Sequence, residues 1–71
     1  MTESEFLTKM QEDILDVEDP ITMDQNLTEI EDWDSLAFVN FLVMANSVGK
    51  SITRQQLKAA VTVSDLFELL K

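Results

Sequence analysis

Trp33-Asp34-Ser35-Leu36-Ala37-Phe38-Val39-Asn40-Phe41-Leu42-Val43-Met44-Ala45-Asn46-Ser47-Val48-Gly49 is the stretch that decides the fold. After Asp34 it holds no charged side chain, and no proline or glycine before its last residue, so nothing interrupts a helix. Asp34 is suited to be the N-cap, because a carboxylate there can accept from the free N–H groups of the first turn. Trp33 and Phe38 then occupy N′ and N4, the two positions of a hydrophobic staple. Gly49 is a natural C-terminal stop. The spacing predicts a helix from Ser35 to Val48. On its wheel Phe38, Phe41, Leu42 and Ala45 share one face, while Leu36, Val39 and Val43 share another. The first face can fill a core. The second is apolar without an obvious need to be, which points to wider burial or to a docking strip.

Upstream, Thr2 and Glu5 have capping-box spacing, and Phe6, Leu7, Met10 and Ile14 recur at helical intervals, predicting a first helix from about Glu3 to Leu15. From Asp16 to Asp34 the pattern breaks. Asp19-Pro20 disfavours helix at Asp19, and Asp24, Asn26 and Thr28 compete locally for backbone hydrogen bonds. Val17, Ile21, Met23, Leu27 and Ile30 are the anchors that can tuck this long loop across the bundle. Downstream, Lys50-Ser51-Ile52 is a connector, and Thr53-Arg54-Gln55-Gln56 opens a short helix ending near Ala60. Thr62-Val63-Ser64-Asp65 repeats the capping signal, and Val63, Leu66, Phe67 and Leu70 make the stripe of a closing helix. The expected architecture is an all-α four-helix bundle in one domain, residues 1–71, with three longer helices, one short helix and a long loop after the first.

A chain of 71 residues has little apolar area to offset the entropy of folding, and a large active-site cleft is not expected. It contains no cysteine and no histidine, which excludes a disulfide framework and a thiolate metal site. The net charge of −9 opposes binding to nucleic acid or to anionic membranes and favours basic protein surfaces. The charge is uneven: residues 1–34 hold twelve acids against Lys9, while residues 35–71 hold Asp65 and Glu68 against Lys50, Arg54, Lys58 and Lys71. No apolar run approaches membrane-spanning length and the first residues lack a basic region, so a soluble, cytoplasmic protein is expected.

Ser35 is the residue with chemical promise. In the first turn its hydroxyl projects beside free N–H groups and the positive end of the helix dipole, a place suited to a phosphate. Asp34-Ser35-Leu36 at the start of the second of four helices, after a long loop, resembles the attachment motif of the acyl carrier and peptidyl carrier proteins. The resemblance extends over nearly the whole chain: its length, acidity and helix order, Gly49 followed by Ile52, and Thr62-Val63-x-Asp65-Leu66 opening the last helix. Trp33 before the motif is similar to free-standing carriers of specialised pathways. The resemblance implies a non-catalytic acyl carrier protein, with 4′-phosphopantetheine moved from coenzyme A to Ser35 by a phosphopantetheinyl transferase and cargo carried as a thioester. Asp34 would be the motif acid that helps to hold Mg²⁺ in the transferase complex. A chain without cysteine or histidine has no nucleophile or tunable base of its own for acyl chemistry, which fits this reading.

The chain also departs from the family. Where carriers typically place acids along the second helix, it has Ala37, Asn40, Asn46 and Ser47. Partner enzymes, acyl- or aminoacyl-activating enzymes and synthases of fatty acid, polyketide or nonribosomal peptide type, are therefore expected to grip Leu36, Val39 and Val43. Glu31, Asp32 and Asp34 would guide their approach. The resemblance places a possible acyl-chain seam between the second and third helices, at Val39, Val43, Ile52, Leu57, Ala60 and Val61, all equally good core residues. Phe38 and Phe41 could fill the space a chain needs, which favours a small or polar cargo. Glu29, Glu31, Asp32 and Asp34 lack the spacing of a calcium loop, and no metal site is assigned. A monomer is expected. The other reading is an unmodified acidic helical adaptor that binds a basic protein through the strip beginning at Leu36.

Overall fold

Helix starts fall where local side-chain chemistry predicts them. In the computed structural model, which describes residues 1–71, α1 (Glu3–Lys9) begins at Thr2, whose Oγ1 accepts from the Glu5 N–H at 3.1 Å while Glu5 Oε1 accepts from the Thr2 N–H at 3.1 Å. Thr53 and Gln56 exchange the same pair of bonds at the start of α3 (Arg54–Ala59), and Thr62 and Asp65 at the start of α4 (Val63–Glu68). Each box satisfies two N–H groups that would otherwise have no partner. Between them lies α2 (Ser35–Ser47), capped by Asp34. It ends at Gly49, φ +82°, with Lys50 N–H bonded to Ala45 O at 2.9 Å and Gly49 N–H to Asn46 O at 3.1 Å. This is a Schellman closure, which needs the left-handed conformation that glycine adopts freely. The chain is all-α: it has no strand, and no helix is long and apolar enough to cross a membrane.

Two elements differ from expectation. The first helix is not α-helical to its end, because Met10–Ile14 form a π-helical turn. Leu15 N–H reaches back to Met10 O and Val17 N–H to Gln11 O, both at 2.9 Å, with Asp16 at φ +53°. The widened turn brings the adjacent Ile14 and Leu15 both into the core, and Asp is among the few residues that tolerate a positive φ. The closing helix is as short as α3, six residues each, so only two of the four helices are long. Beyond Glu68 the ladder tightens, with Leu70 N–H on Phe67 O at 3.0 Å and Lys71 N–H on Glu68 O at 3.3 Å. Leu70 is still half-buried against the core, as the stripe requires.

The long loop is pinned as expected: Ile21, Leu27 and Ile30 are buried, and Val17 and Met23 pack against the core. Asn26 Oδ1 accepts from Thr28 N–H at 3.1 Å and starts a 3₁₀ turn, Leu27–Glu29. A further tie is an antiparallel bridge between Asn26 and Thr62. Within the core Phe6 is fully buried, with its ring 5.1 Å from Phe67 and 6.3 Å, edge-on, from Phe41. One side chain thus ties α1, α2 and α4. All fifteen buried residues are hydrophobic.

Two outcomes follow. Phe6→Ala should lower the unfolding free energy by about 3–5 kcal/mol, comparable with the whole stability of so small a domain; a loss below about 1 kcal/mol in urea titration would show that Phe6 is not the tie. Asp65 Oδ2 accepts from Val61 N–H at 2.9 Å and Thr62 N–H at 3.1 Å, and these bonds hold its carboxyl below the usual value of 3.8. Glu5 is lowered likewise by its bonds to Thr2. A depressed folded-state pKa contributes stability above the unfolded value that is lost as pH falls through the folded one. Asp65→Asn should therefore flatten the loss of stability below about pH 4, measured by urea unfolding across pH.

Candidate functional site

The start of α2 is built by four consecutive residues. Asp34 is extended, and its Oδ1 accepts from the N–H groups of Leu36 at 3.1 Å and Ala37 at 3.2 Å. Its carbonyl takes the Phe38 N–H at 2.9 Å, and its own N–H is bonded to Asp32 O at 3.0 Å. Ser35 is the first helical residue, its side chain exposed. Among the N–H groups of this turn only that of Ser35 is unpaired within the protein. An exposed hydroxyl, a free N–H and the dipole of a thirteen-residue helix thus meet at one point, an arrangement that favours negative charge on the serine oxygen.

Trp33 fixes how the chain reaches this point. Its N–H bonds to Ile30 O at 3.1 Å, and its ring lies 4.9 Å from that of Phe38 and 6.1 Å, edge-on, from that of Phe41. The hydrophobic staple is present, extended by one aromatic partner.

Behind the start, α2 is apolar on both sides but buried on one. Ala37, Phe41, Met44 and Ala45 are in the core, whereas Leu36, Val39 and Val43 are 69%, 48% and 66% exposed. The π-helical turn and α3 cover the other faces, leaving an uncharged apolar strip that begins next to Ser35. Two of its unusual residues are fixed by structure. Ala37 is 2% exposed, with no room for an acid. Asn40 Nδ2 donates to Ile14 O at 3.2 Å, capping a carbonyl at the end of the π-helical turn; a carboxylate there could not donate. No contact explains Asn46.

Glu29, Glu31, Asp32 and Asp34 are exposed; the first three line an open cleft with Asp19, but no three of them are grouped closely enough to hold a metal ion. None of the twelve acids in residues 1–34 is in an ion pair, the one salt bridge being Lys71 to Glu68. The loop leading to Ser35 therefore carries uncompensated negative charge.

Beside the helix start is an open surface cleft of about 440 Å³. Leu27, Ile30 and Glu31 line it from the loop, Trp33 and Phe38 from the start of α2, and Leu57, Lys58 and Ala60 from α3. Of the residues expected at a seam between the second and third helices, two line this cleft. Leu57 and Ala60 belong to the cleft, but Ile52 packs against the core instead, Val61 is 56% exposed, and Val39 and Val43 lie on the outer strip. The loop adds a third wall to those from α2 and α3. Sequence reasoning had Leu27 and Ile30 as anchors and Trp33 and Phe38 as a staple; only the return of the loop makes them neighbours of α3. Lys58 was missed, and no local signal marks it.

No family model, curated protein or solved structure matches the chain.

The two fixed positions can be checked. Asn40→Asp should cost about 1–3 kcal/mol by setting an acceptor against the Ile14 carbonyl, and Ala37→Glu at least as much by burying a charge. Asn46→Glu, at an exposed site, should stay within about 0.5 kcal/mol of the parent. Equal effects at the three positions in urea unfolding would remove the structural account of the uncharged helix.

Proposed function

We propose that the protein is a carrier of the acyl carrier protein type, non-catalytic, holding 4′-phosphopantetheine on Ser35 and delivering acyl or aminoacyl groups among enzymes. The observation that carries this reading is Ser35 at the first position of α2, exposed, with its own N–H unpaired and Asp34 capping the turn. A phosphodiester fits there: the free N–H and the helix dipole favour the anion, and no side chain covers the hydroxyl. The arm, when attached, supplies the thiol on which cargo rides as a thioester, a group the chain lacks because it has no cysteine. Asp34 orders the turn and stands next to the attachment point, where it can share Mg²⁺ with the transferase. The order of four helices with the long loop after the first supports the same fold type.

Partner enzymes would meet the strip Leu36, Val39 and Val43, with Glu31, Asp32 and Asp34 drawing basic surfaces toward it. The exposure of that strip also favours the second reading, an unmodified adaptor for a basic protein, which needs the strip but not Ser35.

One assay separates the two. The chain is incubated with coenzyme A, Mg²⁺ and a broad-specificity phosphopantetheinyl transferase, and its intact mass is measured. A gain of one phosphopantetheine that is lost in Ser35→Ala is the expected result; no gain with several transferases would leave the adaptor.

A further inference from the structure

The outer side of α2 carries both halves of a contact with itself. Its exposed residues, Ser35, Leu36, Val39, Val43, Asn46 and Ser47, are all uncharged. Near the N-terminal end Leu36 projects, 69% exposed. Toward the C-terminal end a groove of about 280 Å³ opens between α2 and the first helix, with Val43 and Met44 on its apolar side and Asn40, Ser47, Lys9 and Asp13 around it. It has room for one aliphatic side chain. The projecting leucine and the groove lie about 10–12 Å apart along the helix, at 1.5 Å per residue. A two-fold axis across α2 near Val39, midway between them, seats the Leu36 of each copy in the groove of the other and brings the two Val39 side chains together.

Charge favours the same arrangement. A two-fold contact sets each residue near the axis against its own copy, so any charge on the middle of this face would meet its like; the face has none. Its ends differ in sign. Glu31 and Asp32 precede the helix, whereas Lys9, the only base among residues 1–34, edges the groove and has no ion-pair partner, and Lys50 follows the helix end. Antiparallel pairing turns the acids of each copy toward Lys9 and Lys50 of the other. It also keeps the two acidic loops at opposite ends of a thirteen-residue helix, about 20 Å apart, more than two Debye lengths at physiological salt. A parallel pair would bring them together. We propose that this face of α2 pairs with a second copy of the chain, antiparallel, about an axis near Val39. A contact of one helix pair and its flanks belongs with the small interfaces, which are weak and transient, so the chain exchanges between one copy and two. The pair covers Leu36, Val39 and Val43, and a partner enzyme must displace the second copy to reach them.

Sedimentation equilibrium of the full, unmodified chain from micromolar to millimolar concentration should show the mass rising from one chain to two and stopping there. Leu36→Asp and Val43→Asp, both at exposed positions, should keep the unfolding midpoint and weaken pairing at least about ten-fold, because the symmetry counts each change twice. The chain has no cysteine, so introduced thiols report the geometry. A mixture of Leu36→Cys and Val43→Cys should form the mixed disulfide dimer several-fold faster than either variant joins to itself. A one-chain mass throughout overturns the proposal and leaves the strip to a partner protein. Masses beyond two chains, undiminished pairing in the two Asp variants, or Leu36→Cys joining to itself as fast as to Val43→Cys overturn it as well. Attachment at Ser35 stands or falls separately, because pairing is measured on the unmodified chain.

Discussion

Everything that meets at the start of α2 depends on three backbone hydrogen bonds between the long loop and the junction of α3 and α4. Leu27 N–H reaches Val61 O at 2.9 Å, Val63 N–H reaches Gln25 O at 3.0 Å, and Ser64 N–H reaches Met23 O at 2.8 Å. Ordering a loop costs about 1–2 kcal/mol per residue, and so long a segment stays ordered only if burial and hydrogen bonds offset that cost. Burial of Ile21, Leu27 and Ile30 supplies one part, and the bridge supplies the register. Asp65 braces the bridge from behind by holding the N–H groups of Val61 and Thr62. Once the loop is fixed, Ile30 O can receive the Trp33 N–H, and Trp33 can reach Phe38. Without the bridge the cleft loses a wall and Ser35 loses its defined approach.

The same constraint explains why α2 has so little charge. Its core face is committed to Phe41 and Ala45, and one flank meets the π-helical turn, where Asn40 must donate and Ala37 must be small. What remains free is the side bearing Leu36, Val39 and Val43. Charge there would not disturb packing, so its apolar character answers to something other than folding. The charge lies instead in the loop, whose acids have no ion-pair partners.

Much of this was legible in the sequence because it is local. Capping boxes at Thr2, Thr53 and Thr62, the Asp34 cap, the Trp33–Phe38 staple and the stop at Gly49 all follow from residues three to five positions apart, and the side chains must act on their own turn. The place of Ser35 at the first position of α2 was legible for the same reason. The wheel separated the two faces of α2 but could not say which neighbours would cover them, because that is settled by elements distant in the chain. The cleft, the Asn26–Thr62 bridge and the role of Asn40 are all contacts of that kind. The π-helical turn escaped because Ile14 and Leu15 both satisfy a core stripe, and only packing decides that both go inward. The length of α4 was overestimated because Leu70 fits the helical period even where the backbone has tightened.

Under the proposed attachment at Ser35, Asp34 meets two opposing demands. Its carboxylate builds the turn that exposes Ser35, yet any phosphodiester on Ser35 would stand beside a like charge. The geometry moderates the conflict. Oδ1 is held by the Leu36 and Ala37 N–H groups, so its charge is drawn toward the helix, while the Ser35 N–H is left for the anion. The remaining repulsion acts only on the phosphate end of an arm and leaves its far end free to leave the surface. In the proposed carrier, release of cargo would follow from the pull of a basic partner on Glu31, Asp32 and Asp34. On that proposal, a site that gripped the phosphate more tightly would carry as well but hand over less readily, so the acid beside Ser35 would suit exchange rather than storage.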